Sequence, residues 1–217
     1  MKTAAFFDLD LTLLSVNSGA SWVHRERGLG RISNRQMGQA YLRFILYRLS
    51  LIDMDEAMRL ALAQYKGWTE QALDDETTAW YEADIAATAA PGCWPVLEEH
   101  RGKGRPLVLL TTSSPYESAA AKKQFGLDHA LSSRYEVVDG LLTGEFIPPL
   151  CYGPGKVTIA ERYAAENDID LDASYFYSDS YSDHPMLERV GHPFAVNPDM
   201  RLKRYAKKKG WPILDWR

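Results

Sequence analysis

The chain has 217 residues, enough to bury a substantial core as one domain or as one domain with an insertion. A net charge of -4 and an apolar share of 46% argue against broad nucleic-acid binding and against disorder. No apolar run reaches membrane-spanning length, and Cys93 and Cys151 fit neither a metal-ligand nor a disulfide pattern. We therefore expect a reduced, cytoplasmic protein with no integral membrane segment and no nucleic-acid partner.

The first predicted element is a short buried strand over the apolar residues 3–7, and it is followed by Asp8 and Asp10. Its end lies at the sheet edge where open α/β folds bind ligands. Two acids so close repel each other unless a cation or a shared proton separates their roles. The alternative interpretation is a turn in which Asp and Thr side chains bond to their own backbone.

Residues 16–90 contain no proline and show apolar residues at helical spacing, which predicts three or four helices and no strand. This block ends at Pro91-Gly92. The aromatic residues among them favour helix packing rather than a ligand-binding surface. The predicted helix faces are Met37, Tyr41, Phe44, Ile45 and Arg48; then Ala57, Leu60, Ala61 and Gln64; then Leu73, Thr77, Trp80 and Tyr81.

From Pro91 onwards the pattern alternates between strands and helices, beginning with a strand over 106–110. Ser114, followed by Pro115 and by Glu117, is a capping box that starts a helix ending at Phe125, before Gly126. The free N–H groups of this helix face the same sheet edge as the first strand, which makes them a ready anion site.

The remaining elements are a hairpin, two helices and two strands. The hairpin spans 135–146 around Asp139-Gly140. Lys156 precedes a helix over 157–165; a lysine there opposes the helix dipole, which indicates a purpose other than solvation, although a surface lysine is the alternative. A strand over 174–177 leads to Asp179 and Asp183, of which Asp183 could also cap the short helix that follows. A last strand is predicted over 193–196.

Four signals thus recur in order at strand ends or helix starts: Asp8-Leu9-Asp10-Leu11-Thr12, then Thr112 with Ser113-Ser114-Pro115, then Lys156, then Asp179 with Asp183. This order resembles the haloacid dehalogenase-like phosphatase superfamily, in the branch similar to phosphoserine phosphatase. The resemblance covers almost the whole chain. It implies an α/β fold with a Rossmann-like three-layer core, a parallel sheet and a helical cap inserted after the first strand. Residues 1–15 and 91–217 would form the core and residues 16–90 the cap.

The resemblance also implies a role for each residue of the motifs. Asp8 would be the nucleophile and Asp10 the general acid and base. Thr112 would be catalytic and would bind the phosphoryl group together with Ser113 and Lys156, which neutralises its charge. Mg²⁺ would be held by a set of aspartates. Within this set, Asp183 would support either the metal or Lys156. The implied metal-binding residues are Asp8, Asp10, Asp179 and Asp183, and Asn17 is the implied substrate contact. One departure is Leu11, where the family commonly has glycine.

The expected function is that of a Mg²⁺-dependent phosphomonoesterase acting on a small phosphorylated metabolite through an aspartyl-phosphate. A phosphotransferase, a lipid-phosphate phosphatase using Trp211, Trp216 and the basic tail, and a catalytically silent binding module are the alternatives. Phosphoserine is not the expected preference, because its phosphatases carry an acid nine positions after the nucleophile and this chain has the neutral Asn17. A cap acid such as Glu26 could replace it. Neither the substrate nor the oligomeric state can be identified from the sequence.

Overall fold

The computed structural model describes residues 1–31, 38 and 53–217. The predicted face formed by residues 37, 41, 44, 45 and 48 lies outside these residues. Strands are β1 (Ala5–Phe7), β2 (Leu107–Thr111), β3 (His129–Ser132), β4 (Arg134–Val138), β5 (Leu141–Ile147), β6 (Tyr175–Ser178), β7 (His192–Val196) and β8 (Ile213–Leu214). Helices are α1 (Ser18–Gly28), α2 (Met54–Leu62), α3 (Glu70–Trp80), α4 (Cys93–Gly102), α5 (Pro115–Phe125), α6 (Pro154–Asn167), α7 (His184–Arg189) and α8 (Met200–Lys209).

Six of these strands form one parallel sheet in the order β3-β2-β1-β6-β7-β8 within the described part of the chain. The predicted first strand lies at its centre, where Phe7 is level with Leu109 of β2 and with Tyr177 of β6. All six strands point the same way, so their carboxyl ends meet at one edge.

Helices cover both faces of the sheet, because alternate residues of a strand point in opposite directions. Ala5 and Phe7 pack on the face covered by α4 and α5, and Phe6 packs on the face covered by α6, α7 and α8. Burial on both sides explains why the strand reads as a continuous apolar run. The predicted Rossmann-like three-layer α/β fold is confirmed.

Local signals place most element boundaries within one or two residues of their predicted positions. The Ser114 hydroxyl accepts a hydrogen bond from the Glu117 N–H at 3.0 Å, so α5 begins at Pro115 as predicted. The helix ends before Gly126, whose φ of 61° favours glycine. The predicted hairpin is β4–β5, which forms a sheet of its own.

The segment inserted between β1 and α4 joins the rest of the chain through two linkers that run side by side. Leu14 and Ala89 form an antiparallel bridge, and the Ser15 N–H donates to the Thr88 carbonyl at 2.8 Å. The β4–β5 hairpin also packs against the inserted segment, since the Gly67 N–H donates to the Leu142 carbonyl at 2.8 Å. A cap over 16–90 remains a prediction.

The described helices are all too short or too polar to cross a lipid bilayer. The strongly basic helix α8 buries Leu202 and Ala206 against the sheet and leaves its lysines outside. Trp216 is only 4% exposed and contacts the ring of Tyr177 in the core. The aromatic residues of the tail therefore pack inward.

Candidate active site

The predicted acidic residues follow two adjacent strands of the sheet. Asp8 comes directly after β1, and its N–H continues the ladder by donating to the Tyr177 carbonyl at 2.9 Å. Asp179 comes directly after β6. The two carboxylates are thus brought to the same edge of neighbouring parallel strands, as the sequence predicts.

Lys156 connects this edge to helix α6. Its ammonium lies 2.7 Å from Asp8 Oδ1 and 2.7 Å from Asp183 Oδ2, and the residue is only 2% exposed. Burial alone would lower the pKa of Lys156, but the charges of Asp183 and Asp8 outweigh it and the pKa rises. Lys156 is therefore a permanent buried cation, and the surface-lysine alternative is wrong.

Asp183 is placed to hold Lys156. Its Oδ2 also accepts a hydrogen bond from the Ser178 hydroxyl at 2.7 Å, and the residue is 2% exposed. Its side chain makes no capping hydrogen bond to helix α7. Support of Lys156 therefore has these contacts, whereas the capping alternative has none. A metal-binding role for Asp183 remains a prediction.

The carboxylates at this edge carry more negative charge than one lysine compensates. Burial, only partly opposed by Lys156 and reinforced by Asp183, raises the pKa of Asp8 to about 7. Burial followed by the charge of Asp8 raises the pKa of Asp179 well above its usual range. Crowded buried carboxylates of this kind are stabilised in their ionised form by a cation.

Asp8 and Asp179 fit a magnesium ion by their chemistry. Among the described residues, no three His, Cys, Asp or Glu side chains are already arranged to hold a metal ion. Mg²⁺ does not need such a cage, because it binds through one or two carboxylates and keeps water or a phosphate oxygen in its other positions.

Asp10 faces the start of helix α1. Its Oδ1 accepts from the Ser18 N–H at 2.9 Å, and its Oδ2 lies 3.4 Å from the Asn17 amide nitrogen. Burial raises the pKa of Asp10, and hydrogen bonding from Ser18 opposes the rise. A carboxyl group whose pKa is raised suits a proton donor. Both oxygens are engaged with the start of α1, and a metal-binding role for Asp10 remains a prediction.

Asn17, the predicted substrate contact, is the N-cap of α1. Its Oδ1 accepts from the Ala20 N–H at 2.8 Å while its amide faces Asp10. Asparagine is among the preferred N-cap residues, so the sequence itself could have indicated this role. The sequence analysis considered Asn17 only as a substrate contact. These contacts make Asn17 a positioning residue for Asp10.

The loop after β2 supplies hydroxyl groups to the same edge. The Thr112 hydroxyl donates to the Cys151 carbonyl at 2.8 Å, so its proton is committed to the segment before α6. Thr111, which the motif analysis passed over, is buried, and its Oγ1 accepts from the Ser113 N–H at 3.2 Å. Thr112 and Ser113 thus shape the loop that starts α5, and Thr111 joins them.

Leu11 occupies the position where the resemblance leads one to expect glycine. It has φ 56° and ψ 6°, the left-handed conformation that is costly for a side chain bearing Cβ. The Leu11 N–H donates to the Val16 carbonyl at 3.1 Å, and the Asn197 amide lies 3.4 Å from the Leu11 carbonyl. The backbone therefore makes the turn without glycine, under strain.

Leu11→Gly is expected to stabilise the protein. Relief of the left-handed strain exceeds the entropy that glycine loses on folding, for a net gain of about 0.5–1 kcal/mol, or roughly 1–4 °C in Tm. Leu11→Val is the matched control and is expected to lower Tm, because branching at Cβ disfavours this conformation further. Thermal unfolding measures both; a destabilised glycine variant would contradict the assignment of strain.

Glu117 is a buried residue near the site that the sequence analysis explained only by helix capping. Its N–H donates the capping hydrogen bond to the Ser114 hydroxyl, but the residue is 6% exposed and its Oε1 has no hydrogen-bond partner within the described part of the chain. Burial, followed by the charge of Asp10, raises its pKa to about 8. A capping box gives no sign that the acid is buried, so sequence reasoning missed it.

Comparison with known proteins agrees with this geometry. The profile of the haloacid dehalogenase-like hydrolases matches residues 5–188. A phosphoserine phosphatase of Mycobacterium tuberculosis is 35% identical over 100% of this chain and 72% of its own length. A histidinol-phosphatase of Neisseria meningitidis is 28% identical over 100% of both chains. A crystal structure of a protein of unknown function from Bordetella pertussis superposes with a TM-score of 0.90 at 26% identity, covering 100% of both chains.

Proposed function

The chain belongs to the haloacid dehalogenase-like hydrolase family, and we propose that this phosphatase hydrolyses its small phosphate ester through an aspartyl-phosphate, with Mg²⁺ as cofactor. Relatives named as phosphatases support phosphate-ester hydrolysis as the activity. The observation that carries the detailed mechanism is the buried contact of Lys156 with Asp8, 2.7 Å long. That contact places a fixed cation beside a carboxylate at a ligand-binding sheet edge.

Asp8 is the nucleophile in this proposal. Lys156 holds Asp8 Oδ1, which leaves the other oxygen to attack phosphorus and form the aspartyl-phosphate. Lys156 and the N–H groups at the start of α5 stabilise the charge on the phosphoryl oxygens. Mg²⁺, held by Asp8 and Asp179, would supply further positive charge to the phosphoryl group.

Asp10 moves the protons. In the first half-reaction it gives its proton to the leaving alcohol oxygen, a role that its raised pKa supports. In the second half-reaction the ionised Asp10 accepts a proton from water, which attacks the aspartyl-phosphate and releases inorganic phosphate. Ser18 and Asn17 keep the carboxyl group in place through both steps.

The alternative functions differ in their support. A phosphotransferase would use the same Asp8 intermediate and an acceptor alcohol in place of water; the appearance of a phosphorylated acceptor separates the two. A lipid-phosphate substrate loses support because Trp216 is buried in the core. A silent binding module has no use for the joined set of Asp8, Lys156 and Asp183.

Chelation of divalent metal by EDTA is expected to abolish hydrolysis of p-nitrophenyl phosphate, and Mg²⁺ is expected to restore it better than Ca²⁺. Ca²⁺ accepts looser, higher coordination, which disturbs in-line attack. Mg²⁺ is also expected to raise Tm, since it binds the folded state. Asp179→Asn should remove that rise, whereas the exposed control Asp84→Asn should keep it. Activity that survives chelation would overturn the metal assignment.

A further inference from the structure

A groove opens at the edge of the sheet opposite the active site. Its volume of about 340 Å³ suits a small metabolite, and it is lined by Arg101, Gly104, Arg105, Pro106, Asp128 and His129. Pro106 directly precedes β2, and His129 begins β3. The groove therefore lies at the amino ends of these parallel strands, a full strand length from the edge that carries Asp8 and Asp179.

Arg105 is held in a fixed position at this groove. The residue is half-buried, its guanidinium carbon lies 4.4 Å from the centroid of the Tyr175 ring, and one terminal nitrogen donates to His100 Nδ1 at 3.1 Å. Arginine carries only donors, so His100 Nε2 bears the ring proton and donates it to the Tyr177 hydroxyl at 2.8 Å. The other N–H groups of Arg105 make no hydrogen bond to a described residue.

The charge of Arg105 is not neutralised by a neighbouring acid. Its neighbour Lys103 is paired with Glu99, whereas Arg105 forms no ion pair with a carboxylate in the part of the chain that the structure describes. Its charge acts on His100 instead: burial, followed by the charge of Arg105, lowers the pKa of that ring to about 4. A half-buried guanidinium without a counter-ion, and with N–H groups to spare, is suited to bind an anion.

The other charged side chains of the lining are already engaged. Arg101 donates to two carbonyl groups at the end of α5, each at 3.2 Å, and pairs with the mostly exposed Glu98. Asp128 is the acid of the lining, and its Oδ2 accepts from the first N–H of β2 at 2.8 Å. His129 is exposed. The lining thus carries two guanidinium groups against one carboxylate.

We propose that this groove is a second ligand site, separate from the active site, which binds a small molecule through an oxyanion, either a carboxylate or a phosphate group, held by Arg105. The planar guanidinium presents pairs of N–H groups that match two oxygens of such a group. Because Tyr175 and His100 already fix the side chain, little conformational entropy is lost on binding.

Nuclear magnetic resonance of the histidine rings tests this site, with malonate and inorganic phosphate as probes at constant pH and ionic strength. The ring signal of His129, in the groove, is expected to shift saturably with at least one of them. His184, whose ring stacks on Tyr181 at the active-site edge, reports anions that enter the active site instead. Arg105→Gln is expected to weaken the His129 response about tenfold or more, and the exposed control Arg204→Gln should keep it.

Three results would overturn the proposal: no saturable His129 shift with either anion, an equal shift with chloride, or a response that Arg105→Gln leaves unchanged. A tighter response to malonate or to phosphate identifies the oxyanion that the groove recognises. Should Arg105→Gln fail to fold, the side-chain Nε–H signal of Arg105 in the wild-type protein decides, because an anion on the guanidinium must shift it. No substrate is present, so the result does not depend on the proposed hydrolysis.

Discussion

Asp8→Asn is expected to reduce kcat for p-nitrophenyl phosphate by about four orders of magnitude or more, since an amide does not attack phosphorus. The fold should survive, because asparagine keeps an oxygen that can accept the Lys156 hydrogen bond now made at 2.7 Å. Circular dichroism and thermal unfolding check the fold, and steady-state kinetics check the rate. A folded variant with full activity would remove Asp8 as the nucleophile.

A second variant, Asp10→Asn, tests directly whether a phosphoryl group becomes attached to Asp8. Asp10→Asn can form the aspartyl-phosphate when the leaving group is as good as nitrophenolate, but it cannot activate the water that breaks the intermediate. Mass spectrometry of this variant should therefore find a phosphoryl group on Asp8. Its absence under every trapping condition would contradict covalent catalysis, even if Asp8→Asn proved inactive.

Lys156→Met is expected to abolish activity and to destabilise the protein by about 3–5 kcal/mol at pH 7, because breaking a buried ion pair leaves its partners unpaired. Here both Asp8 and Asp183 lose the ammonium that they share. Urea unfolding measures the loss of stability, and p-nitrophenyl phosphate turnover measures the loss of activity.

A double variant separates the two effects. Lys156→Met with Asp183→Asn removes one of the stranded charges, so part of the stability should return while activity does not. Equal stability of wild type and Lys156→Met would show that Lys156 does not neutralise these carboxylates. Recovery of activity in the double variant would show that it does not act on the phosphoryl group.

The sequence predicted the fold well where the signal was local. The strand before Asp8, the capped start of α5 at Ser114 and the stop at Gly126 each depend on a few adjacent residues, and the structure has them within one or two positions. The parallel sheet then followed from the alternation of strands and helices, which restricts the possible connections.

Contacts between distant residues account for what the sequence left open. Lys156 and Asp8 are 148 positions apart, so periodicity cannot show that the lysine turns inward. Glu117 looked complete as a capping residue, yet it is only 6% exposed, which the capping signal does not show. Leu11 adopts a glycine-like conformation that tertiary contacts impose against its own preference.

The paired linkers of the inserted segment also bear on how the protein is made. Ser15 and Thr88 are 73 positions apart in the chain. Just after the second linker, the Gly92 N–H donates a hydrogen bond to the Trp216 carbonyl at 3.0 Å. A Cβ at Gly92 would lie 2.6 Å from the Trp216 backbone, so the two segments are in close contact.

During synthesis β1 emerges long before β2 and β6, between which it lies. The ribosome therefore releases an aspartate-bearing strand before the strands that flank it in the sheet have been made. The contacts of Lys156 with Asp8 and Asp183 can form only after residue 183 has left the exit tunnel.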